Sequence, residues 1–375
     1  NDYYKSTPDN VGSRRTITDE TDSFISKLDS NGEIIWTERL SNTGFSHDDK
    51  ALGISVASKD EIYITGYTNG DLDSNLNSGD KDAYISKYDS DGNKKWGKLI
   101  GSETEDVSFN VKTSNGYVYI AGYTKGDTST ASPNNEVYKD GFISKFDSNG
   151  TEIWTKVIGS LSNDGFHDLA ISNDGEYIYT VGYTFGIYSN SVFDHHSKNK
   201  HGVLISKIRN DGVVEWEKLS YCGIYDDVTT GLLGEQVLPA TTINYSDHEF
   251  KSHSITIDSE GNLYIGGSIT NKYGYRQLLV SKHDSDGNFV SNGYPTELSY
   301  SDYGHVEGLS TDRNGNDLYV AALKNSSELS KYIKNDGSAL FSIDDSPQVA
   351  EATSVSLVTD DPDGNSTSTY SYTWQ

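Results

Sequence analysis

The chain has 375 residues, a formal net charge of −26 from 30 Lys plus Arg against 56 Asp plus Glu, and only 34% hydrophobic residues. Such a balance repels phosphate backbones and anionic lipid surfaces, so nucleic acid and membrane surfaces are excluded as partners. No run approaches the roughly 20 apolar residues of a spanning helix, the lone Cys222 has no partner for an internal disulfide, and Met is absent even at position 1. The last feature, with no charged-then-apolar leader before Asp2, reads as a processed or excised piece.

In chain order, the run SRRTITDE (Ser13–Glu20) is a candidate strand, and the first patterned segment is DSFISKLDSNGEIIW, Asp22 to Trp36. It returns as DAYISKYDSDGNKKW (Asp82–Trp96) and DGFISKFDSNGTEIW (Asp140–Trp154), then with drift up to Trp216, around Gly287 and up to Phe341. Between the first four copies the Trp residues are spaced by 60, 58 and 62 positions. A second motif alternates with the first: ISVASKDEIYITGYTNG around Tyr63, VKTSNGYVYIAGYTKG around Tyr119 and ISNDGEYIYTVGYTFG around Tyr179, with weaker copies around Tyr264 and Tyr319. Each motif is two short β-rich runs about an Asp/Asn/Ser-Gly turn, the pattern of a hairpin, so each period holds four strands. The expected fold is all-β, a β-propeller of four-stranded antiparallel blades. Six blades fit best. Seven stay open, because DDVTTGLL (Asp226–Leu233), in the insertion Lys218 to Glu249, resembles the start of a unit. Residues 1–21 or a strand from the tail would complete the ring-closing blade. Glycines after the motif Tyr (Gly66, Gly122, Gly182, Gly267) fit strands crowded by neighbours, and the aromatic residue four after the turn Gly (Trp36, Trp96, Trp154, Trp216, Phe341) fits a wedge between sheets.

These strings resemble the bacterial β-propeller repeat family called SBBP, whose units read approximately GxAVDSxGNVYVTGYT followed by DAFVAKLDxxGxLLW. The likeness is close over residues 22 to 184 and looser to about 341. It implies the fold and a habit of occurring in secreted or surface proteins, and it implies no chemistry. The propeller is thus expected over residues 22–343. Residues 344–375 have alternating runs about a DPDG turn and Trp374, and resemble the opening of a tandem Ig-like or sandwich domain of bacterial surface proteins.

Candidate chemistry is sparse. The D-x-D-G and D-x-N-G loops (Asp29, Asp89, Asp147, Asp284, Asp361) suggest Ca2+ as a candidate ion, but Gly stands at the fourth position where an EF-hand needs it at the sixth, and plain turns are the reading favoured. Acids recur five residues before an apolar strand position at Asp49, Asp106 and Asp164; the other units have Phe250 and Gly304 there, with His253 and His305 nearby. Together these five define an expected channel-rim site for a cation or a hydroxyl-rich ligand, set against an alternative role as caps of loop amides. Lys27, Lys87, Lys145, Lys207, Lys282 and Lys331 recur mid-strand, suiting blade-to-blade ion pairs or stems laid along the sheet. Asp194, His195, His196 and His201 share the loop FDHHSKNKH, a polar loop with metal-ligating side chains. No GxSxG, HExxH, Walker or GxGxxG motif occurs. The expected function is therefore a non-catalytic extracellular or cell-surface module serving adhesion, glycan or protein binding, or assembly with other copies of a surface structure. The alternative is a propeller-scaffold enzyme such as a quinone-dependent dehydrogenase or a polysaccharide lyase.

Overall fold

The computed structural model describes residues 23–40, 48–58, 60–73, 75–126, 138–160, 162–185, 202–220, 249–270, 276–293, 304–312, 317–324, 354–358 and 369–373. Every helix or strand among them is a strand, as the alternating motifs require. β1 (Phe24–Leu28) and β2 (Ile34–Arg39) form a hairpin. Four complete antiparallel sheets follow in strict sequence order: β3 (Asp49–Ser58), β4 (Glu61–Thr68), β5 (Asp82–Tyr88) and β6 (Lys94–Ile100); β7 (Asp106–Ser114), β8 (Tyr117–Thr124), β9 (Asp140–Asp147) and β10 (Glu152–Ile158); β11 (Asp164–Ile171), β12 (Tyr177–Thr184), β13 (Gly202–Arg209) and β14 (Val214–Ser220); β15 (Glu249–Ile257), β16 (Leu263–Thr270), β17 (Arg276–His283) and β18 (Phe289–Gly293). β19 (Gly304–Thr311) pairs with β20 (Leu318–Lys324), and β21 (Ser354–Val358) with β22 (Thr369–Thr373).

The first strands of successive sheets adjoin, β3 beside β7, β7 beside β11, β11 beside β15 and β15 beside β19, and each also lies against the second and third strands of the sheet before it. First strands therefore converge on an axis and fourth strands lie outermost, which is the arrangement of propeller blades. The core is divided accordingly into layers between blades. One layer joins Tyr63, Ala83 and Ile85 of one blade to Val111, Val118, Ile120, Phe142 and Phe146 of the next; the following layer joins Tyr119, Ala121 and Ile143 to Phe166, Leu169, Ile178 and Leu204. Several thin layers explain how a chain of low apolar content still buries side chains completely.

The repeated letters encode one latch between blades. In the turn after each third strand, the leading Asp accepts two amides: Asp89 Oδ1 takes the N–H of Asp91 at 3.0 Å and of Asn93 at 2.8 Å, and Asp147 and Asp284 repeat the pattern. The carbonyl of the second turn residue is left pointing at the preceding blade. There Trp36 Nε1 donates to Ser90 O at 3.0 Å, Trp96 Nε1 to Ser148 O at 3.2 Å and Trp154 Nε1 to Asn210 O at 3.1 Å. The repeated Lys reaches the same oxygens, Lys27 to Ser90 at 2.9 Å, Lys87 to Ser148 at 3.0 Å and Lys145 to Asn210 at 2.9 Å, and Lys207 reaches Ser285 at 3.0 Å. The Lys is thus chiefly a hydrogen-bond donor across blades; among the described residues, Lys207 alone of the repeated Lys adds a cross-blade ion pair, to Asp286 at 3.5 Å. The turn glycine lies on the Trp face: a Cβ on Gly150 would stand 2.9 Å from the Trp96 ring.

Ser13–Glu20, the Phe193–His201 loop with Asp194, His195, His196 and His201, Cys222, Asp226–Leu233, the last ISK copy with Lys331, the Asp361 turn and Trp374 lie outside the described residues.

Candidate functional site

Each first strand carries one extra residue at the same place. Pairing jumps from Ala51↔Gly66 to Gly53↔Thr65 in β3, from Ser108↔Gly122 to Asn110↔Ala121 in β7, and from Phe166↔Gly182 to Asp168↔Val181 in β11. It jumps likewise from Ser252↔Gly267 to Ser254↔Gly266 in β15 and from Val306↔Ala322 to Gly308↔Ala321 in β19. The residues that the strand register skips are Leu52, Phe109, His167, His253 and Glu307. A bulge bends the strand and re-aims its extra side chain. The facing glycine makes room for it: a Cβ on Gly66, Gly122 or Gly182 would stand 1.7, 1.8 or 1.8 Å from the carbonyl oxygen of Lys50, Val107 or Gly165.

In β7, β11 and β15 the residue after the bulge, Asn110, Asp168 or Ser254, locks the distorted backbone. Asp168 is buried and accepts the Leu169 amide at 2.7 Å, the Asn110 amide group at 2.6 Å, and from the next blade the Ser254 hydroxyl and Ile255 amide, both at 2.9 Å. Asn110 Oδ1 takes the Val111 amide at 2.7 Å, and Ser254 Oγ takes the Leu309 amide at 3.0 Å. A belt of side chains therefore runs across four first strands, satisfying amides that the bulges release from the ladder. Burial pushes the Asp168 carboxyl above its ordinary range, opposed by the Lys112 charge and by these hydrogen bonds.

On this fixed belt the bulged side chains and their neighbours form an aromatic line. His167 and His253 stack with centroids 5.6 Å apart and planes 7° from parallel; Phe109 meets His167 edge-on at 5.4 Å; Tyr183 lies 5.2 Å from His167, and Phe185 5.8 Å from Tyr183. His167 Nδ1 lies 2.7 Å from Ser252 O, which fixes the ring and makes Nδ1 the protonated nitrogen. Phe109 also touches Tyr123 at 5.8 Å, whose hydroxyl donates to Glu105 at 2.9 Å; Lys139 sits 3.9 Å over the Tyr123 ring and 3.0 Å from Glu105. Partial burial of Glu105 is outweighed by the Lys139 and Tyr123 hydrogen bonds, which hold its carboxyl below the usual value. The arrangement offers flat faces, imidazole edges and one anchored Lys–Glu pair, which suits stacking recognition.

The sequence-expected rim divides. Asp49, Asp106 and Asp164 do share a register, three residues before the bulge, but all three are buried, at 4, 2 and 0% exposure. Asp106 Oδ2 takes the Ser102 amide at 2.6 Å and hydroxyl at 2.8 Å, and Asp164 Oδ2 takes both groups of Ser160. These two carboxylates cap the loop entering each blade. Burial, with a smaller push from Asp140, raises the Asp164 carboxyl to about 6. His253 is a bulged residue and belongs to the aromatic line. His305 lies in β19 two residues before the bulged Glu307, and its backbone pairs with Leu323. Phe109, His167 and Glu307 escaped the sequence reading. Their signal is a column that reads Leu, Phe, His, His, Glu, two residues before a recurring apolar position at Ile54, Val111, Leu169, Ile255 and Leu309. Among the described residues no group of three or more His, Cys, Asp or Glu is arranged to hold a metal ion.

Comparison with known proteins agrees with the repeat and stops short of a function. The SBBP β-propeller repeat family matches residues 250–274. The regulatory protein FlaEY of Caulobacter vibrioides is 26% identical over 170 residues, 42% of this chain, and the chain covers 18% of that protein. Among solved structures, the Pseudomonas aeruginosa periplasmic gluconolactonase PpgL is similar at 11% identity over 93% of this chain and 90% of that one, with a TM-score of 0.44. The Synechocystis apocarotenoid oxygenase is similar at 11% identity over 80% of this chain and 61% of that one, with a TM-score of 0.41.

Proposed function

We propose that this chain is a non-catalytic binding module of an extracellular or cell-surface protein, and that it takes a glycan at the inner-strand line of Phe109, His167 and His253. The observation that carries the reading is the placement of these three rings at bulged positions on consecutive blades, held in contact by a buried hydrogen-bond belt. Sugar rings present apolar C–H faces that stack on aromatic planes and hydroxyls that seek imidazole and carboxylate edges. The exposed Glu307 completes the polar side. Asp106 and Asp164 serve the site at one remove by fixing the loops, and do not touch ligand. The resemblance of the repeats to secreted proteins and the net charge of −26 support the extracellular setting.

The test is a glycan array on the full chain, followed by calorimetry of the strongest saccharide with Phe109→Ala, His167→Ala and the pair. A stacked ring contributes about 0.5–1.5 kcal/mol beyond its buried area, so each variant weakens binding roughly tenfold. Saccharide binding that survives the double substitution, or no saccharide binding at all, refutes the reading.

A further inference from the structure

The hairpin β1–β2 has the place and contacts of an outer half-blade. Its Lys27 and Trp36 make the latch to Ser90 that third and fourth strands make elsewhere, and Ile25 packs with Ile64, Tyr84 and Tyr88 of the next blade. In the four complete sheets the strand in β1's place has a second strand on its other edge; among the described residues β1 pairs with β2 alone. The side chains around that missing partner are apolar and open. Phe24 is 69% exposed, whereas its counterparts Tyr84, Phe142 and Leu204 are 5, 2 and 0%. Ile54 on β3 is 58% exposed, whereas Val111, Leu169 and Ile255 at the same register are 0, 0 and 2%, each covered by the preceding blade. The slot therefore has the shape and polarity of an inner hairpin.

One hairpin of this chain arrives in phase to fill it. From the last aromatic of an outer hairpin to the next first strand the interval is 13 residues from Trp36 to Asp49 and 10 from Trp96 to Asp106 and from Trp154 to Asp164. After the sixth outer motif ends at Phe341, β21 begins 13 residues later at Ser354. The motif Tyr falls 27, 23 and 25 residues after Trp36, Trp96 and Trp154, and Tyr370 in β22 falls 29 after Phe341. β21 and β22 form a hairpin whose five-residue second strand equals β1 in length, and among the described residues they pair with one another alone.

We propose that β21–β22 is the inner half of the blade whose outer half is β1–β2, giving the sheet order β21, β22, β1, β2 and covering Phe24 and Ile54. The tail then closes the propeller at six blades instead of opening a separate domain. Thiol labelling tests this on the full chain with Cys222→Ser and one reporter, Ile54→Cys, beside the same chain lacking residues 346–375. A position exposed without the tail and covered with it labels roughly 100-fold more slowly in the full chain. Val111→Cys, buried by its own preceding blade, stays slow in both chains and shows that the truncated chain is folded. Adding residues 346–375 as a peptide restores the protection of Ile54→Cys. Equal labelling with and without the tail overturns the proposal. So does protection lost on removing residues 1–21 in place of the tail, or protection that vanishes on dilution together with an oligomer, which would assign the slot to the amino-terminal segment or to another copy.

Discussion

Replacing Gly150 by Ala asks whether the turn glycine is needed only for its backbone or also for the Trp beneath it. Gly150 has φ of +82°, and Gly116 in the same blade has φ of +79°. An L-residue in this region costs about 1–2 kcal/mol, so both Ala variants share that loss. They differ in space. A Cβ on Gly116 meets nothing within 4 Å, whereas one on Gly150 lies 2.9, 3.0 and 3.1 Å from three Trp96 ring atoms. The ring must swing, which loosens its contact with Tyr63 at 6.0 Å and its 3.2 Å bond to Ser148 O. A net hydrogen bond contributes about 0.5–1.5 kcal/mol, and the packing loss is of similar order. Gly150→Ala should therefore cost about 2–4 kcal/mol, some 1–2 more than Gly116→Ala. Urea titration followed by tryptophan fluorescence and circular dichroism measures both at fixed pH. Trp96→Phe in the Gly150→Ala background should recover part of the loss, since the smaller ring admits the methyl group. Equal destabilisation at the two glycines would refute the wedge and leave only the backbone explanation.

Four further outcomes are expected. Asp164 has its carboxyl raised to about 6 in the fold from 3.8, so the native state binds the proton more tightly; its share of stability is fully present below pH 4 and is lost as pH rises through 6. Asp164→Asn, still able to accept the Ser160 amide, should gain up to about 3 kcal/mol at pH 7.5 and almost nothing at pH 4, read from denaturation curves at the two values. His283 has the opposite sign: burial lowers it to about 4 from 6.5, so its share of stability is intact above pH 6.5 and declines as pH falls towards 4. His283→Gln should flatten the acid limb between those values in a thermal-melt series. Asp168→Ala strands four donors across three blades and should cost about 3–5 kcal/mol, with ligand affinity lost in step, as calorimetry at low temperature will report. Gly182→Ala, whose methyl would meet Gly165 O at 1.8 Å, should abolish the β11 bulge and with it saccharide binding, visible as a changed His167 ring signal in NMR spectra.

What could be read in the sequence follows from which contacts recur. The turn Asp and Gly and the mid-strand Lys, and the Trp at positions 36, 96 and 154, make the same contact from one blade to the next, and the same letter stands at each of those places. Their places were legible, although the Lys, for which ion pairs or stems laid along the sheet are the expectation, mostly finds carbonyl oxygens of the next blade. The register of Asp49, Asp106 and Asp164 was legible too, but not their burial, because the Ser102 and Ser160 loops that they cap are set by the approach of the next blade. Bulges were invisible for a simpler reason. One unpaired residue leaves the letters in order and changes only which residue opposes which. The clue present was Gly66, Gly122 and Gly182: crowding was inferred there, and the carbonyl that does the crowding belongs to the residue two before each bulged one.

The same separation argues where function sits. A latch residue carries the fold, since changing Trp154 disturbs Asn210 and the layer of Leu169, Ile178 and Leu204 at once. A bulged residue is skipped by the ladder register, so the strand pairing itself does not dictate its identity. Leu52, Phe109, His167, His253 and Glu307 occupy one structural position with five side chains of four kinds, and from Phe109 to Glu307 the belt of side chains runs beside them. Changing a member of that column should alter what is bound and leave the melting curve nearly unmoved, whereas changing a latch residue should do the reverse. Paired measurements on His253→Ala and Trp154→Ala decide the point: a large stability loss for the first, or none for the second, would show that fold and recognition are not divided in this way.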